Sequence, residues 1–170
     1  ILTGHLTKVC RVTALDVSEN GLFWLRRKLG CQCCLGRVEE IAEVRGYDVV
    51  VHTAAYKHVC LLESQINIAI RNNVGTTANL AGLCAIAGVH FVFISTDKAV
   101  DAKGIMGKTK WVAERCVDAW RHVGLKTTML RFANVFGSSG SVLDVWNHRE
   151  DGHIEVTSKE HRRWFITPDE

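Results

Sequence analysis

Three adjacent residues, Thr96, Asp97 and Lys98, close the apolar run "HFVFIST" and bring a hydroxyl, a carboxyl and an amine together at one strand end. Such a trio can offer one substrate a hydrogen bond, a general acid and a general base, provided burial and mutual charge shift their protonation. The same residues also make an ordinary surface Asp-Lys turn. Met106 and Lys110 follow one helical turn apart, so they share a face. Upstream, Asp16 ends another apolar run just before a helical pattern. A carboxylate there can accept both hydroxyls of an adenosine ribose and repel a 2′-phosphate, which favours NAD over NADP; it can equally serve as a helix N-terminal acid. In "HTAAYKH", Ala54 and Ala55 are small enough to let a flat cofactor approach the backbone, and Lys57 and His58 are candidates for an anionic ligand. His52, on the apolar strand itself, is expected to be a core histidine with its hydrogen bonds satisfied.

The elements that must position these residues alternate between apolar runs and helical patterns, as in an α/β fold with a mostly parallel sheet. "VCRVTALD" (Val9 to Asp16), "YDVVVHTAA", "HFVFIST" and "TTMLRFANVF" are expected strands, and "CQCCL" is a shorter candidate. Between them, Ser18 can cap a helix with Leu22, Leu25 and Leu29 on one face and Gly30 as its stop. Leu62, Ile66 and Ile70 fall on one helical face, and Val74, Ala78, Ala81 and Ala85 continue in register to Gly88. The helix carrying Lys110 is expected to bury Val112, Cys116, Trp120 and Val123 and to end at Gly124. In open parallel sheets ligands bind beyond the carboxyl ends of the strands, and the unusual residues of this chain fall there.

Composition narrows the function classes. With 170 residues and 47% apolar content the chain can bury one core. Its 21 basic and 18 acidic residues leave a net charge of +3, and no Lys/Arg run forms a stripe along the sequence, so nucleic acid is not an expected partner. No apolar run approaches the roughly 20 residues of a membrane span. The segment is therefore expected to be soluble and cytoplasmic, without membrane contact of its own. Seven cysteines, among them Cys10, Cys60, Cys84 and Cys116 inside apolar segments, suggest reduced, buried thiols. The cluster at Cys31, Cys33 and Cys34 has no second ligand pair at finger-like spacing, so no metal is expected.

Seven strings occur in order: "LDVSEN", "VVHTAAYKHV", "NNVGTTANLA", "ISTDKAV", "MGKTK", "RFANVFGSSGSV" and "RRWFIT". Through them the chain, from about Val9 to Thr167, resembles the CapD-like polysaccharide-biosynthesis branch of the extended short-chain dehydrogenase/reductase superfamily. The members of that branch are nucleotide-sugar 4,6-dehydratases acting on UDP-N-acetylglucosamine. The resemblance implies a Rossmann-like doubly wound parallel sheet, NAD as cofactor, a UDP-sugar as substrate, and a homo-oligomer as an open option. It implies a closed redox loop: hydride leaves sugar C4, a base takes the C5 proton, an acid expels the C6 hydroxyl as water, and hydride returns to C6. By resemblance Asp97 is that acid, Lys98 the base, Thr96 or Ser95 a donor at the C4 oxygen, and Lys110 the anchor of the cofactor ribose. Tyr56, beside Ala54 and Ala55, lines the cofactor, while Asn134, Ser138, Ser139 and Ser141 line the substrate and Arg163 meets its diphosphate. Met106 stands where most relatives have Tyr, as in a membrane-anchored subgroup.

Two departures qualify the resemblance. The family begins with a strand and a glycine-rich loop that cradles pyrophosphate. Here "ILTGHLTKV" carries no such loop, and Ile1 to Thr7 is expected to be the end of a helix. Where relatives have Gly-Asp-Val this chain has Gly36, Arg37 and Val38, which weakens the adenine side. Residues 1–136 are thus expected to form a partial NAD-binding domain and 137–170 the start of a substrate-binding region, incomplete at both ends. The isolated chain is expected to bind NAD poorly and to self-associate through open strand edges. Two alternatives stay open: a nucleotide-sugar epimerase or reductase, and a truncated domain without catalysis.

Overall fold

The computed structural model describes residues 2–138, 140–148, 153, 154, 156, 158, 160 and 162–167. A short helix, α1 (Leu2–Leu6), opens the chain, in keeping with the expected helical tail. The backbone N–H groups of Thr7, Lys8, Val9 and Cys10 donate back to α1, so Val9 and Cys10 belong to a turn rather than to the expected strand. The strand β1 therefore covers only Thr13–Asp16. Next comes α2 (Glu19–Leu29), whose ends follow their side-chain chemistry. Ser18 Oγ accepts from Gly21 N–H at 3.1 Å, and Gly30, at φ 65°, donates its N–H to the Arg26 carbonyl. Leu22 is buried, with Leu25 and Leu29 half-buried beside it. Then β2 (Gln32–Leu35) pairs in parallel with β1, Asp16 opposite Leu35.

The second half is built on β3 (Val49–His52), β4 (His90–Thr96) and β5 (Thr127–Phe132), a parallel sheet in the order β3-β4-β5. Between β3 and β4 run α3 (Val59–Glu63), α4 (Ile66–Ile70), a π-helical turn at Arg71–Gly75 and α5 (Thr76–Ala87). A helical face at Leu62, Ile66 and Ile70 does not form: the break at Ser64 and Gln65 leaves Leu62 buried and both isoleucines exposed. Ala81 is buried as expected, but the extra residue of the π turn centres the buried face one residue earlier, on Asn73, Thr77, Leu80 and Cys84, and leaves Val74, Ala78 and Ala85 half-buried. Gly88 ends α5 as expected.

The helix α6 (Ile105–His122) carries a similar shift. Its buried residues are Met106, Gly107, Thr109, Lys110, Ala113, Glu114 and Val117, whereas Val112 and Val123 are exposed. Phe91 and Phe93 of β4 pack with Leu80, Ala81 and Cys84 of α5 and with Ala113 and Val117 of α6 in the main core. Gly82 makes room for the Trp120 indole there, since a Cβ would lie 2.8 Å from its Cζ2. Of the four cysteines expected to be buried, Cys84 is and Cys116 is half-buried, but Cys10 and Cys60 are exposed because the turn and short helix that carry them have little packed over them.

After Ala133 the expected single strand divides, and β6 (Asn134–Val135) pairs in parallel with β7 (Phe165–Ile166) around α7 (Val142–Asn147). The parallel strands thus fall into three sheets. A cavity of about 240 Å³ lies where β1 and β3 face each other, lined by Thr13 and Leu15 on one side and Val49 to His52 on the other.

Candidate functional site

The site grows from the carboxyl end of β4. Thr96 is the last strand residue, and Asp97–Ala99 turn at once into a single 3₁₀ turn. Thr96 Oγ1 accepts the Lys98 N–H at 3.3 Å and donates to Asp97 Oδ1 at 2.9 Å. Lys98 Nζ donates to the same Oδ1 at 3.1 Å and to Asn134 Oδ1 at 3.0 Å. Asn134 Nδ2 in turn donates to the Trp164 carbonyl at 3.0 Å, next to Arg163. Thr96, Asp97, Lys98 and Asn134 therefore form one connected cluster. Burial pushes the Asp97 carboxyl up, but the hydrogen bonds from Lys98 and Thr96 more than offset it and hold it below the ordinary carboxylate range.

Behind this cluster the support is buried and charged. Glu114, 1% exposed, accepts from Ser95 Oγ at 2.6 Å and from Arg131 Nε and Nη2 at 2.9 and 2.7 Å. Burial alone would raise the Glu114 carboxyl; the Arg131 fork and the Ser95 hydroxyl bring it below its ordinary value. One turn earlier on α6, Lys110 Nζ donates to the Ile94 carbonyl at 2.7 Å and lies 4.1 Å from the centre of the Phe93 ring. Burial lowers its pKa to about 8, with the Glu114 carboxylate acting in the opposite direction. Gly107 permits this approach: a Cβ there would lie 2.5 Å from the Lys98 carbonyl oxygen. Met106 is buried against Leu62 and Ala69.

The loop after β3 is fixed from the side by Asn73 on the π turn. Its Oδ1 accepts the Tyr56 N–H at 2.8 Å, and its Nδ2 donates to the Tyr56 carbonyl at 3.0 Å and to Thr109 Oγ1 at 3.1 Å. One side chain thereby ties the segment of Ala54, Ala55 and Tyr56 to the helix of Met106 and Lys110. Lys57 and His58 lie under the glycine-serine loop, where a Cβ on Gly140 would come within 2.9 Å of His58 Cε1. In that loop Ser141 Oγ caps α7, and Ser138 accepts the Ser141 N–H through its carbonyl. Ser139 lies outside the described residues. Arg163 is exposed. Asp16 stands apart at the end of β1, where Oδ1 accepts the Ser18 N–H at 2.8 Å. His52 is buried with Nε2 3.0 Å from Thr77 Oγ1; burial and the Lys110 charge lower its pKa to about 4, as a satisfied core histidine requires.

Sequence reasoning left out Asn73, Gly107, Glu114 and Arg131. Asn73 and Gly107 lie inside "NNVGTTANLA" and "MGKTK", where an Asn72-Asn73 pair ahead of Gly75 and a Gly between Met106 and Lys110 were the available signals. Nothing in the sequence pairs Glu114 with Arg131, which are brought together by α6 packing on β5.

Parallel strands with helices between them, and polar clusters at their carboxyl ends, define a Rossmann-like α/β protein. A dTDP-glucose 4,6-dehydratase from Streptomyces venezuelae, solved with NAD, shares that fold with a TM-score of 0.84 at 20% identity, over 99% of this chain and 62% of its own. Residues 29–170 match the polysaccharide biosynthesis protein family, and the chain belongs to it. It is 40% identical over 135 residues to the capsular polysaccharide biosynthesis protein CapD of Staphylococcus aureus, covering 76% of this chain and 22% of CapD. It is 35% identical over 107 residues to an inverting UDP-N-acetylglucosamine 4,6-dehydratase of Campylobacter jejuni, covering 60% of this chain and 32% of that enzyme. The chain thus spans a fifth to a third of these relatives' lengths.

Proposed function

We propose that this chain carries the acid–base centre of a nucleotide-sugar 4,6-dehydratase that acts on UDP-N-acetylglucosamine with NAD. The observation that carries the proposal is the hydrogen-bonded Asp97–Lys98 pair, flanked by Thr96 and Asn134 at the strand end. The residues present suit the cofactor. Asp16 has a second carboxylate oxygen for a ribose hydroxyl, Ala54 and Ala55 keep the β3 loop thin, and the Lys110 ammonium has donors beyond the one given to Ile94. When bound, NAD would supply the hydride acceptor at sugar C4 and the donor at C6.

The protein's own part is proton management. In the resting pair Lys98 holds the proton and Asp97 is the anion, the reverse of what a C5 base and a C6 acid need. Transfer of one proton along the 3.1 Å Lys98 Nζ to Asp97 Oδ1 contact inverts the pair without any exchange with solvent. A sugar that displaces water from the half-exposed pair favours that neutral form, because desolvation penalises both charges. Neutral Lys98 then takes the C5 proton, and protonated Asp97 gives its proton to the leaving C6 oxygen. Thr96 Oγ1 stands beside both as a hydrogen-bond partner for the C4 oxygen. Met106 has no proton to transfer, and its packing against Leu62 and Ala69 supports a spacer's role beside the nicotinamide. A 4-epimerase would need no acid at C6.

The test is a chimera in which this chain replaces the matched region of the Campylobacter dehydratase. The folded chimera should convert UDP-N-acetylglucosamine into a product one water lighter. Asp97→Asn should leave C4 oxidation, read as NADH absorbance, while slowing water loss by roughly 10²-fold or more. A chimera that binds both ligands and only inverts C4 would replace the dehydratase assignment with an epimerase.

A further inference from the structure

We propose that the β1–α2–β2 unit carries a docking surface for an anionic lipid bilayer, on the side away from the candidate site. The strands β1 and β2 are parallel, with Thr13 opposite Gln32, so α2 must run back from the carboxyl end of β1 to the start of β2. Its last turn, with Arg26, Arg27 and Lys28, consequently lies at the same end as the turn that leads into β1, with Lys8 and Arg11. All five cations are exposed, and among the described residues none of them is in an ion pair. Residues 2–15 and 20–35 contain no Asp or Glu. Against the five cations, residues 2–35 hold only Asp16 and Glu19, both at the opposite end. That leaves +3, equal to the net charge of the whole chain, so the rest of the molecule is balanced and the excess sits here.

Charge alone would attract any polyanion; the aromatic residues choose among them. Phe23 and Trp24 are 55% and 50% exposed on the middle of α2, with ring centroids 5.3 Å apart in an edge-on pair. The buried side of α2 is Leu22, Leu25 and Leu29, so helical geometry puts Phe23, Trp24 and Arg27 on the outward side with Arg26 and Lys28 flanking. Val9, 82% exposed, adds an apolar side chain next to Lys8 in the turn before β1. Paired aromatic rings ringed by Arg and Lys suit the headgroup boundary of a bilayer, where rings enter the acyl edge and cations meet lipid phosphates. Asp16, Asp97 and Lys98 end their strands at the other side, so a docked molecule keeps its site open to the aqueous phase. A surface contact of this kind departs from the expectation that the segment makes no membrane contact, while no described helix is long and apolar enough to cross one.

The test is co-sedimentation of the 170-residue chain with vesicles of phosphatidylcholine, with and without phosphatidylglycerol, at physiological ionic strength, with tryptophan fluorescence recorded in parallel. The chain should bind only the anionic vesicles, with a blue shift, and should be released by high salt. R26A/R27A/K28A should weaken partitioning by about 100-fold, at roughly fivefold per cation. F23S/W24S should weaken it by about tenfold or more and abolish the blue shift. Because these side chains are exposed, circular dichroism of both variants should match that of the parent. Absence of binding by the parent chain to anionic vesicles would overturn the proposal. So would binding that survives F23S/W24S and is matched by heparin or single-stranded DNA, which would mean generic polyanion attraction.

Discussion

The two larger sheets make opposite use of their residues. Around β3-β4-β5 the interior is closed on both counts, apolar and polar: Phe91, Phe93, Leu80, Ala81 and Val117 exclude water, while Glu114, Ser95, His52, Asn73 and Thr77 are buried, each with at least one hydrogen-bond partner. In β1–α2–β2 only Leu22 and Cys31 are buried, and Phe23, Trp24, Leu35 and three cations face outward, with Lys8 and Arg11 exposed in the turn before β1. The proposed acid–base pair, its supports and Lys110 are therefore held by the closed half, and Asp16, the candidate for the adenosine ribose, by the open one. Positioning precise enough for proton transfer needs a dry, cross-braced surround; a ribose contact on an exposed loop does not.

The contrast can be broken most severely at Glu114. Glu114→Ala removes the buried acceptor of Ser95 and of the exposed Arg131 fork, and should lower unfolding stability by about 2–4 kcal/mol in urea titration. A loss under about 1 kcal/mol would mean that the closed half does not depend on this brace.

Acid should separate the two halves next. Native His52 gains a proton only near pH 4, whereas an unfolded histidine gains it near 6.5. The unfolded chain therefore binds more protons between those values, and stability falls as pH drops through that window, by on the order of 3 kcal/mol in full. The protection factors of amides in β3, β4 and β5, corrected for the slower intrinsic exchange in acid, should fall from pH 6.5 to 4 while those of β1 and β2 change little. His52→Gln should flatten the difference. An equal loss of protection in both sheets would contradict the assignment.

The smallest effect is expected at Met106. Met106→Leu nearly conserves volume against Leu62 and Ala69 and should cost less than about 1.5 kcal/mol. Turnover of the chimera should be retained; a loss as deep as that of Lys110→Ala would make Met106 more than packing.

What could be read in advance follows the same division. Ser18 and Gly30 were legible because caps depend on one side chain and one backbone angle. The strands at Val49, His90 and Thr127 were legible because uninterrupted apolar runs have few other uses. The buried side of α6 was not, since Lys110 and Glu114 are buried through partners on β4 and β5 that no periodicity reveals. The face of α5 was displaced by the π turn, whose extra residue leaves no mark in an apolar pattern. Of the site, Thr96, Asp97, Lys98 and Asn134 are brought together as one cluster, and Asn73 and Gly107 could be recognised only from what they touch. The basic end of α2 escaped notice because Lys8 and Arg11 join Arg26, Arg27 and Lys28 only when β2 pairs with β1.

The central claim is that Lys98 takes the C5 proton while Asp97 serves C6, and exchange of that proton tests it most directly. The chimera should be incubated in deuterated water with NAD and UDP-N-acetylglucosamine, and the recovered nucleotide sugar read by mass spectrometry and proton NMR. With Lys98 present, deuterium should enter at C5; in Lys98→Ala, C4 should still be oxidised and C5 exchange should fall by roughly 10²-fold or more. Deuterium entering C5 at an unchanged rate in Lys98→Ala would contradict the account.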